Sequence, residues 1–201
     1  MIRVLLAEDQ AMVRGALSAL LSREKDIEVV AEVGRGNEVM RTALALQPDI
    51  ALLDIEMPGL DGLAAAQALH EVLPRCRCVI LTTFGRSGYL RRAMESGVVG
   101  FLLKDAPASE LAIALRRVMA GERVVDPDLA LAALSEGMNP LTPREREVLA
   151  ATLPGISHAE IATRLALSEG TVRNHLSAAM QKLEARNRME AARLAEQKGW
   201  L

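Results

Sequence analysis

The sequence predicts a doubly wound α/β domain with a five-stranded parallel sheet, followed by an all-α domain of four short helices. Three observations carry this reading. Short aliphatic runs alternate five times with longer helical patterns up to Gly121; no such alternation continues beyond it; and four helix starts marked by capping residues follow between Thr142 and Asn187. At 201 residues the chain is long enough for two units, since one compact domain usually holds about 100 to 150.

The expected strands are Ile2–Ala7, Ile27–Val33, Ile50–Asp54, Arg77–Thr82 and Gly100–Leu103, and the central ones are apolar throughout, as parallel strands covered on both faces must be. Helical spacing places helices over Gln10–Ser22, Asn37–Leu46, Gly62–Val72, Tyr89–Ser96 and Ser109–Ala120, with Gly121 as a stop. This makes residues 1–121 one domain, whose ligands bind beyond the carboxyl ends of the strands. Residues 122–138 read as a linker, with a short helix over 128–135, and residues 139–201 as the helical domain. There Pro143 follows the cap Thr142, and Ser157, Ser168 and Asn187 cap three more helices. Pro154 ends the helix before it early.

Half of the residues are hydrophobic, but only Phe84, Tyr89, Phe101 and Trp200 are aromatic, a helix-rich composition. No apolar run reaches the roughly 18 residues of a membrane span, and the start turns acidic at Glu8 and Asp9, too soon for a signal peptide. A cytoplasmic protein without a membrane partner is therefore expected. Cys76 and Cys78 are separated by one residue, which suits neither a redox pair nor a zinc half-site, and they read as reduced thiols. The net charge of -2 is unevenly spread: residues 139–201 carry nine Lys/Arg against seven Asp/Glu, and residues 1–138 carry 15 Lys/Arg against 19 Asp/Glu. A mildly basic C-terminal part permits nucleic-acid binding.

Glu8 and Asp9 end the first strand and Asp54 the third, and in a doubly wound sheet those strands are neighbours. Three carboxylates sharing a crevice raise one another's pKa unless a hard cation joins them, and Mg²⁺ suits such an oxygen-lined site. Asp54 can then act as a nucleophile toward a phosphoryl donor. Thr82 at the end of the fourth strand offers a hydroxyl, and Lys104 after the fifth an ammonium, to the phosphoryl oxygens. Singly each residue reads as a solvated polar side chain at a strand end; four strands contributing at matching positions do not.

These residues stand in AED (7–9), DIEMPGLDG (54–62), LTTF (81–84) and GFLLKD (100–105), and with them residues 1–121 resemble the receiver domains of response regulators, which are flavodoxin-like. The resemblance implies Glu8, Asp9, Asp54 and the backbone carbonyl of Glu56 as Mg²⁺ ligands. It implies Asp54 as the phosphorylation site, Thr82 and Lys104 as phosphoryl contacts, and Thr83 and Phe101 as switch positions. Many receivers have a cis proline after this lysine; here Asp105 follows, as is usual in the NarL/FixJ branch.

In the second domain, His158–Leu165, the turn Ala166-Leu167-Ser168 and Glu169–Leu183 have the arrangement of a helix-turn-helix, with Val172, Leu176, Met180 and Leu183 spaced to face the core. The other face carries Arg173, Asn174, Ser177, Gln181 and Lys182; Arg and Asn can read base edges and Thr, Ser and Lys contact phosphates, or the face is simply solvated. Through LTPREREVL, EIATRLALSEGTVRNHL, KL and R-x-x-AA the segment resembles the LuxR-type helix-turn-helix of NarL/FixJ regulators. That implies a dimer on double-stranded DNA, with Arg173 and Asn174 in the major groove and Thr171, Ser177 and Lys182 as further DNA-binding residues.

The combined resemblance implies a transcription factor, not an enzyme, phosphorylated by a sensor histidine kinase and promoted by phosphorylation to a homodimer. The motifs AEDQ, GAL, IEMPG, GYL and KGW further resemble a subgroup member that controls a membrane-lipid desaturase gene. Met12, Ala16 and Ala19 on the first helix and Ile113, Arg117 and Ala120 on the fifth fall outside the core stripes and form the expected dimer face, with the face of Tyr89, Leu90 and the fifth strand as its rival. A decayed receiver would not keep the full acceptor set. A phosphatase with an aspartate nucleophile would need a second Asp where Glu56 stands.

Overall fold

The computed structural model describes residues 1–83, 87–105, 108–127, 129–131 and 139–201. Phe84, and residues 128 and 132–135 of the short helix expected in the linker, lie outside them. The chain forms two compact units, a larger one built on the sheet and a smaller helical one.

In the first unit the elements are β1 (Ile2–Ala7), α1 (Ala11–Leu21), β2 (Ile27–Val33), α2 (Gly36–Leu46), β3 (Ile50–Leu53), α3 (Gly62–Val72), β4 (Arg77–Thr82), α4 (Ser87–Glu95), β5 (Gly100–Leu103), α5 (Ala108–Met119) and β6 (Val124–Val125). All pairings are parallel in the order β2-β1-β3-β4-β5-β6. The sixth strand corrects the expected five. Val124 and Val125, read from the sequence as linker, pair with Gly100 and Phe101, and the Val124 amide donates to the Val99 carbonyl at 2.9 Å. Two residues are too few to show a period, so only the branched side chains hinted at it.

Alternation along the strands divides the core. Val4, Leu6, Leu52, Val79 and Leu81 pack with Leu21 of α1 and Leu111, Leu115 and Val118 of α5. Leu5, Leu53 and Ile80 are also fully buried, and α2 and α3 pack against this sheet and each other. Cys76 and Cys78 are free, buried thiols, and burial pushes them up to about 11 and about 12, so they stay protonated.

The second unit contains α6 (Pro143–Ala150), α7 (His158–Leu165), α8 (Glu169–Lys182) and α9 (Arg188–Gln197). Each starts as its cap demands: the side chains of Thr142, Ser157, Ser168 and Asn187 accept the N–H of the residue three positions on, and Thr142 and Ser157 complete capping boxes with Glu145 and Glu160. Val148, Leu149, Ile161, Val172, Leu176 and Trp200 form the core, and Ala179, Ala191, Ala192 and Ala195 let α8 and α9 approach closely. Met180 and Leu183 are partly buried against it, with Leu183 capping α8 instead of continuing it.

Candidate functional site

Strand register gathers the acidic pocket. Ala7 pairs with Leu53, so Glu8 and Asp54 leave the sheet side by side where the strand order reverses. Thr82 pairs with Leu103, and the Lys104 amide donates to the Thr82 carbonyl at 2.8 Å, which brings the lysine in from the other side. Lys104 Nζ stands 2.6 Å from Glu8 Oε2 and 2.9 Å from Asp54 Oδ2. The remaining carboxylate oxygens accept backbone N–H groups, Asp54 Oδ1 from Ile55 at 2.8 Å and Glu8 Oε1 from Gln10 at 3.1 Å. Both side chains are thus oriented from two directions.

Glu8 is 1% exposed and Asp54 5%, while Asp9 faces solvent, and ligand oxygens of all three lie within 4.8 Å of one another. Burial pushes the Glu8 and Asp54 carboxyls above the usual carboxylate range, against the pull of Lys104. Burial alone would lower the lysine; its bonds to Glu8 and Asp54 win and hold it above its ordinary value. One ammonium thus faces two buried acids with a third acid at the rim. The set matches a hard divalent cation in donor chemistry, and the open side at Asp9 leaves room for an anionic group.

The loop after Asp54 depends on Gly62, because a Cβ there would lie 1.9 Å from the Asp54 carbonyl oxygen. Glu56 lies on this loop with an exposed side chain, Thr83 is exposed just beyond β4, and Phe101 is fully buried in β5. The Lys104–Asp105 peptide is trans.

In the second unit Arg173, Asn174 and Ser177 share exposed faces of α8, and Thr171 sits in its first turn, its hydroxyl 2.8 Å from that of the cap Ser168. Lys182 does not join them. Nine residues at 100° each put it half a turn from Arg173, and its Nζ lies 2.7 and 2.9 Å from the two carboxylate oxygens of buried Glu145 on α6. Lys182, expected among the DNA-binding residues, is thus paired with Glu145 here. Spacing locates a face but not a partner 37 residues away.

Between α1 and α5 the first unit carries an apolar groove of about 720 Å³. Met12, Ala16, Ile113 and Arg117 line it with Leu17 and Leu102, while Ala19 and Ala120 are exposed but stand outside it. Met12 is 88% and Ile113 52% exposed. Sequence reasoning also missed Arg14, which donates to the Glu8 carbonyl at 2.5 Å; an arginine on a helix reads as solvated unless its partners are known.

Comparison with known proteins accounts for both halves. The response regulator receiver domain matches residues 4–116, and the bacterial regulatory proteins of the luxR family match residues 139–195. The transcriptional regulatory protein DesR of Bacillus subtilis (strain 168) is 47% identical over 200 residues, covering 100% of this chain and 99% of DesR. The chain belongs to the NarL/FixJ family of response regulators. Among solved structures, the response regulator ChrA of a heme-sensing two-component system is 34% identical, with a TM-score of 0.59 over 100% of this chain and 98% of ChrA. The RcsB–DNA complex shares the fold, at 22% identity and a TM-score of 0.69 over 98% of each chain. As a NarL/FixJ regulator the protein is a two-component transcription factor with a LuxR-type DNA-binding domain, not an enzyme. Among the described residues no helix is long and apolar enough to cross a membrane.

Proposed function

We propose that Asp54 accepts a phosphoryl group from a sensor histidine kinase and that this controls dimerisation and DNA binding in the cytoplasm. The observation that carries the proposal is Lys104 Nζ held between buried Glu8 and Asp54. Glu8, Asp9, Asp54 and the Glu56 backbone carbonyl would hold Mg²⁺, which supplies charge neutralisation for phosphoryl transfer when bound. One Asp54 carboxylate oxygen attacks phosphorus, the bond from phosphorus to the donor imidazole breaks, and an acyl phosphate results. Lys104 can exchange its Asp54 contact for a phosphoryl oxygen, and Thr82 stands at the neighbouring strand end to contact another. Thr83, just beyond β4, and Phe101, within β5, would pass the change to the surface of the receiver.

In this reading residues 1–121 are the receiver, 122–138 the linker and 139–201 the DNA-binding domain. Arg173 and Asn174 read bases, with Thr171 and Ser177 near the backbone. Two receivers associate across the α1–α5 groove through Met12, Ala16, Ile113 and Arg117, flanked by Ala19 and Ala120. Likeness to DesR in AEDQ, GAL, GYL and KGW favours membrane-lipid desaturase genes as targets.

The experiment is intact-mass measurement after incubation with Mg²⁺ and acetyl phosphate. One acid-labile phosphoryl group is expected on the wild-type chain and none on Asp54→Asn. Equal labelling of both would reject Asp54 as the acceptor.

A further inference from the structure

Arg14, one turn into α1, reaches back over the loop that carries Glu8 and Asp9. Its Nη1 donates to the Glu8 carbonyl at 2.5 Å and lies 3.5 Å from the Asp9 carbonyl. On its other side Nε is 3.8 Å from Glu32 Oε2 on β2, and Glu32 in turn accepts from Ser18 on α1 at 2.6 Å. Gly34 makes room for the guanidinium, since a Cβ there would stand 3.2 Å from Nη1. The Glu8 amide is meanwhile tied to the Val33 carbonyl at 3.0 Å. The backbone of the acidic loop is thus fixed by β2 through its N–H and by α1 through its carbonyls.

The Arg14–Glu32 contact alone, long and largely solvated, would carry little weight. Two successive carbonyls turned toward one cation are another matter. Carbonyl direction sets the direction in which the neighbouring side chains leave, and the guanidinium meets both carbonyls through Nη1 while its Nε faces Glu32, a spread of donors that a single ammonium does not offer. Groups behind metal ligands commonly change metal affinity tenfold or more when removed.

We propose that Arg14 is a positioning residue for the divalent-metal site: it holds the Glu8 and Asp9 carbonyls so that both carboxylates converge with that of Asp54, and itself touches neither metal nor phosphoryl group. The proposal rests on the Mg²⁺ reading above. It also ties the metal site to α1, the helix that supplies Met12 and Ala16 to the groove.

The test is isothermal titration of Mg²⁺ into the full chain for wild type, Arg14→Met and Arg14→Lys, with thermal unfolding followed by circular dichroism in EDTA. Arg14→Met is expected to raise the Mg²⁺ Kd about tenfold, Arg14→Lys to fall between it and wild type, and the metal-free unfolding midpoints to stay close together. Wild-type affinity in Arg14→Met overturns the proposal. So does a loss of affinity in Arg14→Met and Arg14→Lys that tracks a loss of metal-free stability. If Arg14→Met does not fold, wild-type affinity in Arg14→Lys has the same force. A wild-type chain that binds no Mg²⁺ removes the metal reading itself, and the proposal with it.

Discussion

Lys182 on α8 closes on Glu145 on α6, its ammonium 2.7 Å from one carboxylate oxygen and 2.9 Å from the other. The same glutamate completes the capping box that starts α6, its carboxylate accepting the Thr142 N–H at 2.7 Å. One buried acid therefore joins α6 to α8. Lys182→Met should destabilise the second unit by about 1 to 3 kcal/mol, because it leaves the carboxylate buried with an unmet partner. Urea unfolding monitored by Trp200, the chain's single tryptophan, reads this unit directly. An unchanged midpoint together with a lower salt slope of DNA binding would return Lys182 to a phosphate contact.

Glu145 also predicts a pH dependence. Burial pushes its carboxyl up, but Lys182 and the Thr142 N–H and hydroxyl outweigh this and hold it below the usual carboxylate range. A group whose folded pKa is depressed contributes stability above its unfolded value, near 4.5, and loses it as pH falls through the folded value. The stability difference between wild type and Glu145→Gln, read from Trp200, should be full at pH 7 and shrink below about pH 4.5. A difference constant from pH 7 to 3 would contradict the assignment.

Arg173 is exposed on α8 and tied only loosely to Glu169, at 3.8 Å. Arg173→Ala should weaken specific DNA binding by about 1 to 3 kcal/mol if the side chain makes a bidentate base contact. Its salt slope should stay within error of wild type, since the slope counts phosphate contacts. Titration of a bound site at several salt concentrations decides it, and unchanged affinity would mean that another face of the domain meets the bases.

The α1–α5 groove predicts that Met12→Glu or Ile113→Glu keeps the phosphorylated protein monomeric in analytical ultracentrifugation while leaving Asp54 labelling intact. Because two half-sites engaged together bind far more tightly than one, DNA affinity should fall with dimerisation even though the recognition helix is untouched. Normal dimers in both variants would move the interface elsewhere.

What the sequence showed and what it hid follow from range. The strand ends that carry Glu8, Asp54, Thr82 and Lys104 were legible because continuous apolar runs stop at them, and the caps Thr142, Ser157, Ser168 and Asn187 because capping is local to four residues. β6 is too short for a periodic signal, and only its pairing with β5 reveals it. Lys182 reads from the sequence as a DNA-binding residue, and Arg14 carries no signal there at all. Each takes its meaning from an acceptor the fold delivers, the Glu8 carbonyl for one and Glu145 for the other.

The central claim is that phosphorylation of Asp54 switches DNA binding by α8. The most direct measurement is recovery and sequencing of fragmented genomic DNA by the full chain with Mg²⁺, with and without acetyl phosphate, for wild type and Asp54→Asn. Discrete sites are expected to be enriched by wild type only when the phosphodonor is present, and none to be gained by Asp54→Asn. The same sites bound equally by both proteins, with or without donor, would contradict it.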